Sequence, residues 1–431
     1  MSDTVQRKFI VRNGGAATVV PPSNVISVSA GGNDATGTRG NAALPFLTFQ
    51  AGLTVAQTGD QIRCGPGVQS LAAPLVWPVG LTALSIVGSG MDYTVIEAPG
   101  QSDAIVVPPT LETLIIEDLT VLAMGSTAVV ADGTGLGGLF MPGGLFFRNA
   151  RLTASFGLTA SFVGRVTMHG VESVARLSFA TCNFGQMENI LVGSGLGLAN
   201  IFLTWDDDSL DKPVAGRQAV IFRDTLAGEF LLEGQPSFDL FPGCYFNKVS
   251  GLSVTGLPAS IGGLVARIGI HCTVDTVDFT AGGGAALPDA VNSCFFSCEG
   301  ANFGQVTVEV AGAGTNPQTI TAANCGIRSA LTVSNNAHWV DHQLNATGGA
   351  FTTATGGTIT PGSYSFTDAF SASPTTYTFP FLAGTAPDAV VATSDVVAPG
   401  VLAVTARTAA SIDVSSTAAA SGNVSFTASW G

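Results

Sequence analysis

Between about Leu81 and Val333, apolar and polar residues alternate in short runs, and Asn, Asp or Gly separates each run from the next. The phrase appears as LETLIIEDLTVLA (111–123), GLFFRNARLTASF (144–156) and GRVTMHGVESVARL (164–177). It returns as PGCYFNKVSGLSVTG (242–256), IGIHCTVDTVDFTAG (268–282), SCFFSCEGANFGQVTVEV (293–310) and ITAANCGIRSALTVSN (320–335). Alternation with period two predicts strands. The second strands start near Leu252, Phe279, Val306 and Leu331, in steps of 27, 27 and 25 residues. A near-constant period of this size predicts a β-solenoid. Leucine-rich repeats share the period but need an LxxLxLxxN frame, and helical repeats need capped stretches of period 3.6; both are missing. Each coil should pair with the coils before and after it and stack its inward side chains. The Asn, Asp and Gly of the bends should supply left-handed backbone.

Two regions depart from that rhythm. LPFLTFQAGLTVAQTGD (44–60) is the best helix candidate: Phe46, Phe49, Leu53 and Ala56 recur at helical spacing, and Gly59–Asp60 ends it. It is expected to cap the first coil, because an open end is an edge that invites aggregation. Residues 345–431 hold only five charged side chains, Asp368, Asp388, Asp395, Arg407 and Asp413. About six short strand-like runs there predict a β-sandwich.

Composition narrows the function classes. Charged residues make up 11% of the 431, against about 25% in an average soluble domain. So apolar a surface is usually hidden by oligomerisation. Net charge is −14 and the only lysines are Lys8, Lys212 and Lys248, so phosphate neutralisation and nucleic-acid binding are excluded. No run of about 18 apolar residues predicts a membrane span. The start, MSDTVQRKFIVRNGG, is polar where a secretory leader would be apolar, so synthesis and assembly in a cytoplasm are expected. The seven cysteines form no CxxC. Cys182, Cys244, Cys272, Cys294 and Cys325 fall near strand ends, where reduced, buried thiols would stack.

Few motifs carry chemistry. DGTGLGG (132–138) fits GxGxxG, but LFMPGGLFF follows it, and a dinucleotide site needs a helix there. There is no P-loop and no GxSxG. His338 and His342 are four apart with Asp341 between them. They are the metal candidates, for an ion shared on a trimer axis, although an ordinary hinge anchored by Trp339 accounts for them and no metal or other cofactor is expected.

TWDDDSLD (204–211) opens the stretch 195–241, which breaks the period and holds eleven charged residues in 47 positions. Its spacing fails an EF-hand loop, with Asp211 where Gly belongs and Arg217 at the twelfth position. A glycosidase needs two carboxylates about 5–10 Å apart across a groove. Asp208 or Asp211 with Glu229 or Glu233 are the catalytic candidates. Trp205 could stack on a sugar ring, with Asp206 and Asp207 beside it as glycan-binding candidates. A lyase would take Arg217 or Arg223 as its base. A solvated loop or a polar contact between subunits accounts for the same charges without chemistry. That plainer account is preferred, and enzymatic activity stays open.

ISVSAGGNDATGTRGNAALPFLTFQAGLTVAQTGDQIRCGPGVQS (26–70) resembles the opening of the pectate-lyase-like right-handed parallel β-helix family. The matching features are Pro45–Phe46, Thr48, Gly59–Asp60, Ile62 and Pro66–Gly67. Counting the repeats, the resemblance covers roughly 26–335. RKFIVRNGG (7–15) resembles the N-terminal phrase of tailed-phage fibre and spike proteins, and the order of motifs from PDAVVAT to FTASWG resembles the C-terminal domains of phage fibres. Together these imply an all-β chain in three parts: a virion-attachment segment (1–25), a capped right-handed parallel β-helix (26–340) and a C-terminal β-sandwich (345–431). They imply a homotrimer in a bacteriophage virion, similar to a tailspike or tail fibre, with other virion proteins bound through residues 1–25 and host cell-surface polysaccharide as partner. A head decoration protein and a polysaccharide depolymerase are the alternatives. A bacterial hydrolase is disfavoured by the missing leader.

Overall fold

The computed structural model describes residues 24–431 outside 134–140, 205–218, 253–264, 282–294, 311–317, 379–387, 395–401 and some stretches of one to four residues. The described chain is almost entirely strand, built on parallel pairing, with one helix, Phe49–Thr54. It divides into two compact units, Met1–Ala199 and Asn200–Gly431.

In the first unit Val25–Val28 pairs with Asp60–Cys64, that strand with Ala83–Val87, and that with Thr113–Asp132. Met141–Ser161, Val163–Ser173 and Phe184–Ser194 continue in the same parallel sense. The registers stack like positions on like. Ile26, Ile62, Ile86 and Ile116 form a buried column that goes on through Phe147, Met168 and Met187. Each side chain so buried contributes roughly 1.5–3 kcal/mol. This is why alternating sequence suffices: every second residue points inward, and the neighbouring strands bury it.

The predicted bends are present. Asp118, Asn149, Gly170 and Asn189 occupy equivalent register positions, with φ of 56°, 46°, 63° and 55°. L-residues resist this conformation, Asn and Asp least among them, because their short side chains bond locally. Asn149 Nδ2 donates to Asp118 Oδ1 at 3.1 Å.

The helix is shorter than its periodicity predicts. Thr48 caps it, its Oγ1 accepting from the Ala51 amide at 3.2 Å. Phe46 lies outside it, bridged to Val28. All four expected apolar residues are nonetheless buried. Gly52 lets the helix approach closely: a Cβ there would sit 2.9 Å from Val28 and 3.3 Å from Ile26. The Gly59–Asp60–x–Ile62 phrase has physical content. Gly59 takes φ 87°, Ile62 enters the column, and buried Asp60 accepts from Arg39 Nε at 2.6 Å and Nη2 at 2.8 Å.

The second unit carries two parallel ladders. One runs through Ala219–Glu233, Tyr245–Leu252, Thr273–Ala281, Asn302–Val310 and Cys325–Ser334. The other runs through Ser237–Leu240, Val265–Ile268, Phe295–Glu299, Gln318–Ala323, Ala337–Asp341 and Thr358–Pro361. Ala227, Phe246, Val274, Phe303 and Ile327 stack as a buried column. The repeat alignment needs correction. Leu252 faces Thr280, one residue beyond Phe279, and Phe279 faces Val308; Val306 does face Leu331. A slip of one residue exchanges the two faces of a strand, so Leu252 and Phe279 are not equivalent.

Cys64, Cys182, Cys244, Cys272, Cys298 and Cys325 are buried free thiols; Cys294 lies outside the described residues. Burial pushes the Cys64 and Cys182 thiols up to about 12. A hydrogen bond with Cys272, added to burial, raises Cys244 as well. Toward the C-terminus, Ser363–Ser371 pairs in parallel with Leu344–Ala346 and antiparallel with Ser421–Ser429, which also pairs with Ala389–Ser394. A separate antiparallel set joins Thr375–Thr378, Ser411–Ser416 and Leu402–Arg407. Arg407 donates to the Asp388 carbonyl and links the two sets.

Candidate functional site

The register decides where polar side chains meet. Residues paired across neighbouring parallel strands sit about 4.8 Å apart, so opposite charges at paired positions touch. Among the described residues three such pairs occur, and a fourth joins a histidine to a carboxylate. Glu117 meets Arg148 at 3.5 Å, Arg151 meets Glu172 at 2.8 Å, His169 lies 3.7 Å from Glu188, and Lys248 lies 3.7 Å from Glu229. Arg151 also reaches Asp92 at 2.7 Å, and those two carboxylates raise its pKa. Glu117, Arg148, His169 and Glu188 each directly precede a left-handed residue of the bend column, where the outward side chains of successive strands line up.

Glu229 is the one catalytic candidate whose side chain the structure describes. It sits half-buried in Ala219–Glu233, its amide donating to Asn200 Oδ1 at 3.0 Å and its carboxylate beside Lys248. Glu233 ends the same strand, in register with Thr204 and Leu252; its side chain lies outside the described residues. Trp205, Asp206, Asp207, Asp208 and Asp211 also lie outside them. Two other members of the charged stretch have defined places. Asp224 takes φ 47° beside Gly243, where a Cβ would come 2.0 Å from its Oδ1. Arg223 lies over the Phe241 ring, 5.4 Å from its centre.

His338 lies in a strand, Ala337–Asp341, paired on both sides, rather than in a hinge. His342 lies outside the described residues, and among those described no cluster of three or more His, Cys, Asp or Glu could hold a metal. Gly133 of the GxGxxG phrase donates to the Ser161 carbonyl at 2.8 Å, and the next described element, Met141–Ser161, is a strand. No described helix is long and apolar enough to cross a membrane.

Sequence reasoning missed a second group. Tyr245 donates its hydroxyl to Asp275 Oδ2 at 2.7 Å, and Arg328 Nη2 donates to Asp275 Oδ1 at 2.9 Å. The bond to Asp275, with some burial, raises the Tyr245 pKa and holds the phenol protonated. The three residues lie far apart in sequence, and only the register brings them together. The recurring triplets FNK (246–248), VDT (274–276) and FGQ (303–305) were the available signal.

No known protein family matches the chain, and no curated protein matches it. Among solved structures, the crystal structure of the Pseudomonas phage phi297 tailspike gp61 is similar at 8% identity, over 89% of this chain and 92% of that one, with a TM-score of 0.30. A likeness this loose carries no inference about what the chain does.

Proposed function

We propose that the chain is a structural protein of a bacteriophage virion, tailspike- or fibre-like, that displays a rigid surface to host-cell glycan. In this reading the parallel ladders close into a right-handed β-helix, the antiparallel strands form a C-terminal sandwich, and three copies associate. Residues 1–25 attach the assembly to other virion proteins. The observation that carries the reading is the regular parallel stacking, in which inward side chains lie over one another from strand to strand, as in Ile26, Ile62, Ile86 and Ile116; such stacking suits a rigid display scaffold. Multivalency over three copies would then supply avidity. Glu229, the described carboxylate candidate, lies 3.7 Å from Lys248, an arrangement that a structural ion pair accounts for without chemistry.

Exposed apolar side chains support association. Among the described residues the most exposed large apolar side chains are Val79, Val76, Tyr93, Met124, Val391 and Val68, at 58% to 105% exposure, and five of the six fall within residues 68–124. Apolar surface concentrated in this way marks contact surfaces. Sedimentation of the full-length chain tests this part: a mass of three chains is expected, and Val76→Glu with Val79→Glu should shift it toward one. A monomer at micromolar concentration overturns the assembly. Immunogold labelling of particles tests attachment: label on the tail supports the reading, and label on the head replaces it with a decoration protein.

A further inference from the structure

One register column of the second unit differs from its surroundings. Asn247, Asp275 and Gly304 occupy equivalent register positions. A Cβ on Gly304 would lie 2.3 Å from the Asp275 carbonyl oxygen, so only bare backbone fits there. The position next to Asp275 therefore has no side chain, and Arg328 reaches across it to the carboxylate. Side-chain exposure is 59% for Arg328 and 44% for Asp275. Ion pairs this exposed add little to stability, so holding the strands together is a weak reason for the arrangement.

Its chemistry is better matched to a ligand. Each Asp275 oxygen takes one internal hydrogen bond and keeps acceptor capacity, and a guanidinium carries five N–H groups, of which Asp275 takes one. Half-buried Tyr245 lies beside them, with its hydroxyl on Asp275. Outward neighbours Thr276 and Gln305 share one column and extend the polar strip. Asp275 and Arg328 cancel in charge, which disfavours an ionic ligand.

We propose that Tyr245, Asp275 and Arg328 form a binding subsite for a neutral sugar, with adjacent hydroxyls donating to Asp275 and accepting from Arg328. The proposal rests on the glycan-display reading and moves its site from the acidic stretch to this register column. The Asp92–Arg151–Glu172 group of the first unit carries net negative charge and is the natural control.

The test uses the full-length chain and saturation-transfer NMR with neutral gluco-, galacto- and manno-oligosaccharides, a galacturonate oligomer, and host cell-surface polysaccharide. The wild type should bind at least one neutral saccharide. Asp275→Ala and Arg328→Ala should each weaken that binding about 10- to 100-fold, the loss expected for a hydrogen bond to a charged group. Asp92→Ala should leave it unchanged, and Arg328→Lys gives a milder second variant. Melting curves check that every variant is folded. Binding that survives both alanine variants overturns this site and leaves the display reading standing. Binding of galacturonate alone overturns the neutral-sugar assignment. No binding to any saccharide by the wild type overturns both.

Discussion

The opening strands of the first unit and the stacked column of the second bury their inward side chains in different ways. In the first, Ile26, Ile62, Ile86 and Ile116 lie over one another, so each layer presents the same shape to the next. In the second, Ala227, Phe246, Val274, Phe303 and Ile327 alternate small with large. There Phe222, Phe230 and Phe246 form a cluster, with ring centres 5.0, 5.5 and 6.3 Å apart. A column of equal members spreads its burial evenly, and any layer can lose a methyl without leaving a large void. An alternating column concentrates burial in a few rings, and the small neighbours cannot refill the space of a lost one.

The largest expected effect comes from removing such a ring. Phe246→Ala should cost about 4 kcal/mol, from lost burial plus the cavity left behind. A urea unfolding series should place its midpoint well below wild type at unchanged slope. A cost near 1 kcal/mol would mean that the second core collapses as easily as the first, and the contrast would fail.

The next effect lies at the bends. Asn149→Ala removes the amide bond to Asp118 and leaves alanine at φ 46°, for a loss of about 2 kcal/mol. Gly170→Asn is the informative partner. It puts a tolerant residue at φ 63°, but its Cβ would lie 2.8 Å from Asn149 Oδ1, which must turn aside. It should be milder than Gly170→Val at the same site. If valine is accepted equally, left-handed geometry does not govern this column.

These bends were legible in the sequence because a left-handed residue leaves a compositional mark: Asn, Asp or Gly at a recurring place. Strand content, the buried thiols and the buried faces of Phe46, Phe49, Leu53 and Ala56 were legible for the same kind of reason. Register was harder. Alternation says which residues share a face within a strand, but the loop between strands fixes which residues face one another. A step of 27 residues therefore misses by one the position that faces Leu252, which is Thr280. The candidate site inherits the same limit. Tyr245, Asp275 and Arg328 become neighbours only through the register, whereas TWDDDSLD drew notice by its local charge density.

A smaller change sharpens the comparison from the aliphatic side. Ile86→Val removes one methylene from the stack and should cost about 1 kcal/mol. Ile62→Val should cost nearly the same, because each has an Ile on both sides. Melting of the two variants and their double tests whether the column behaves as repeated equal layers. A double mutant much worse than the sum would show that the layers act as one unit.

The smallest effect is confined to the opening turn of the first unit. Partial burial works to raise the Asp34 pKa. The Thr48 amide and hydroxyl and the Leu47 amide all donate to that carboxylate, and they hold it below its ordinary 3.8. A folded-state value below the unfolded one gives stabilisation that is present above pH 3.8 and lost as pH falls through the depressed value. Acid should therefore loosen the Thr48 cap while Asp34→Asn removes that dependence. The Thr48 and Leu47 amide shifts in NMR follow it directly. Their titration should vanish in Asp34→Asn, while amides around Phe246 stay unmoved over the same range. If the shifts titrate alike in both proteins, another carboxylate holds the turn, and Asp34 only fills space beside the helix.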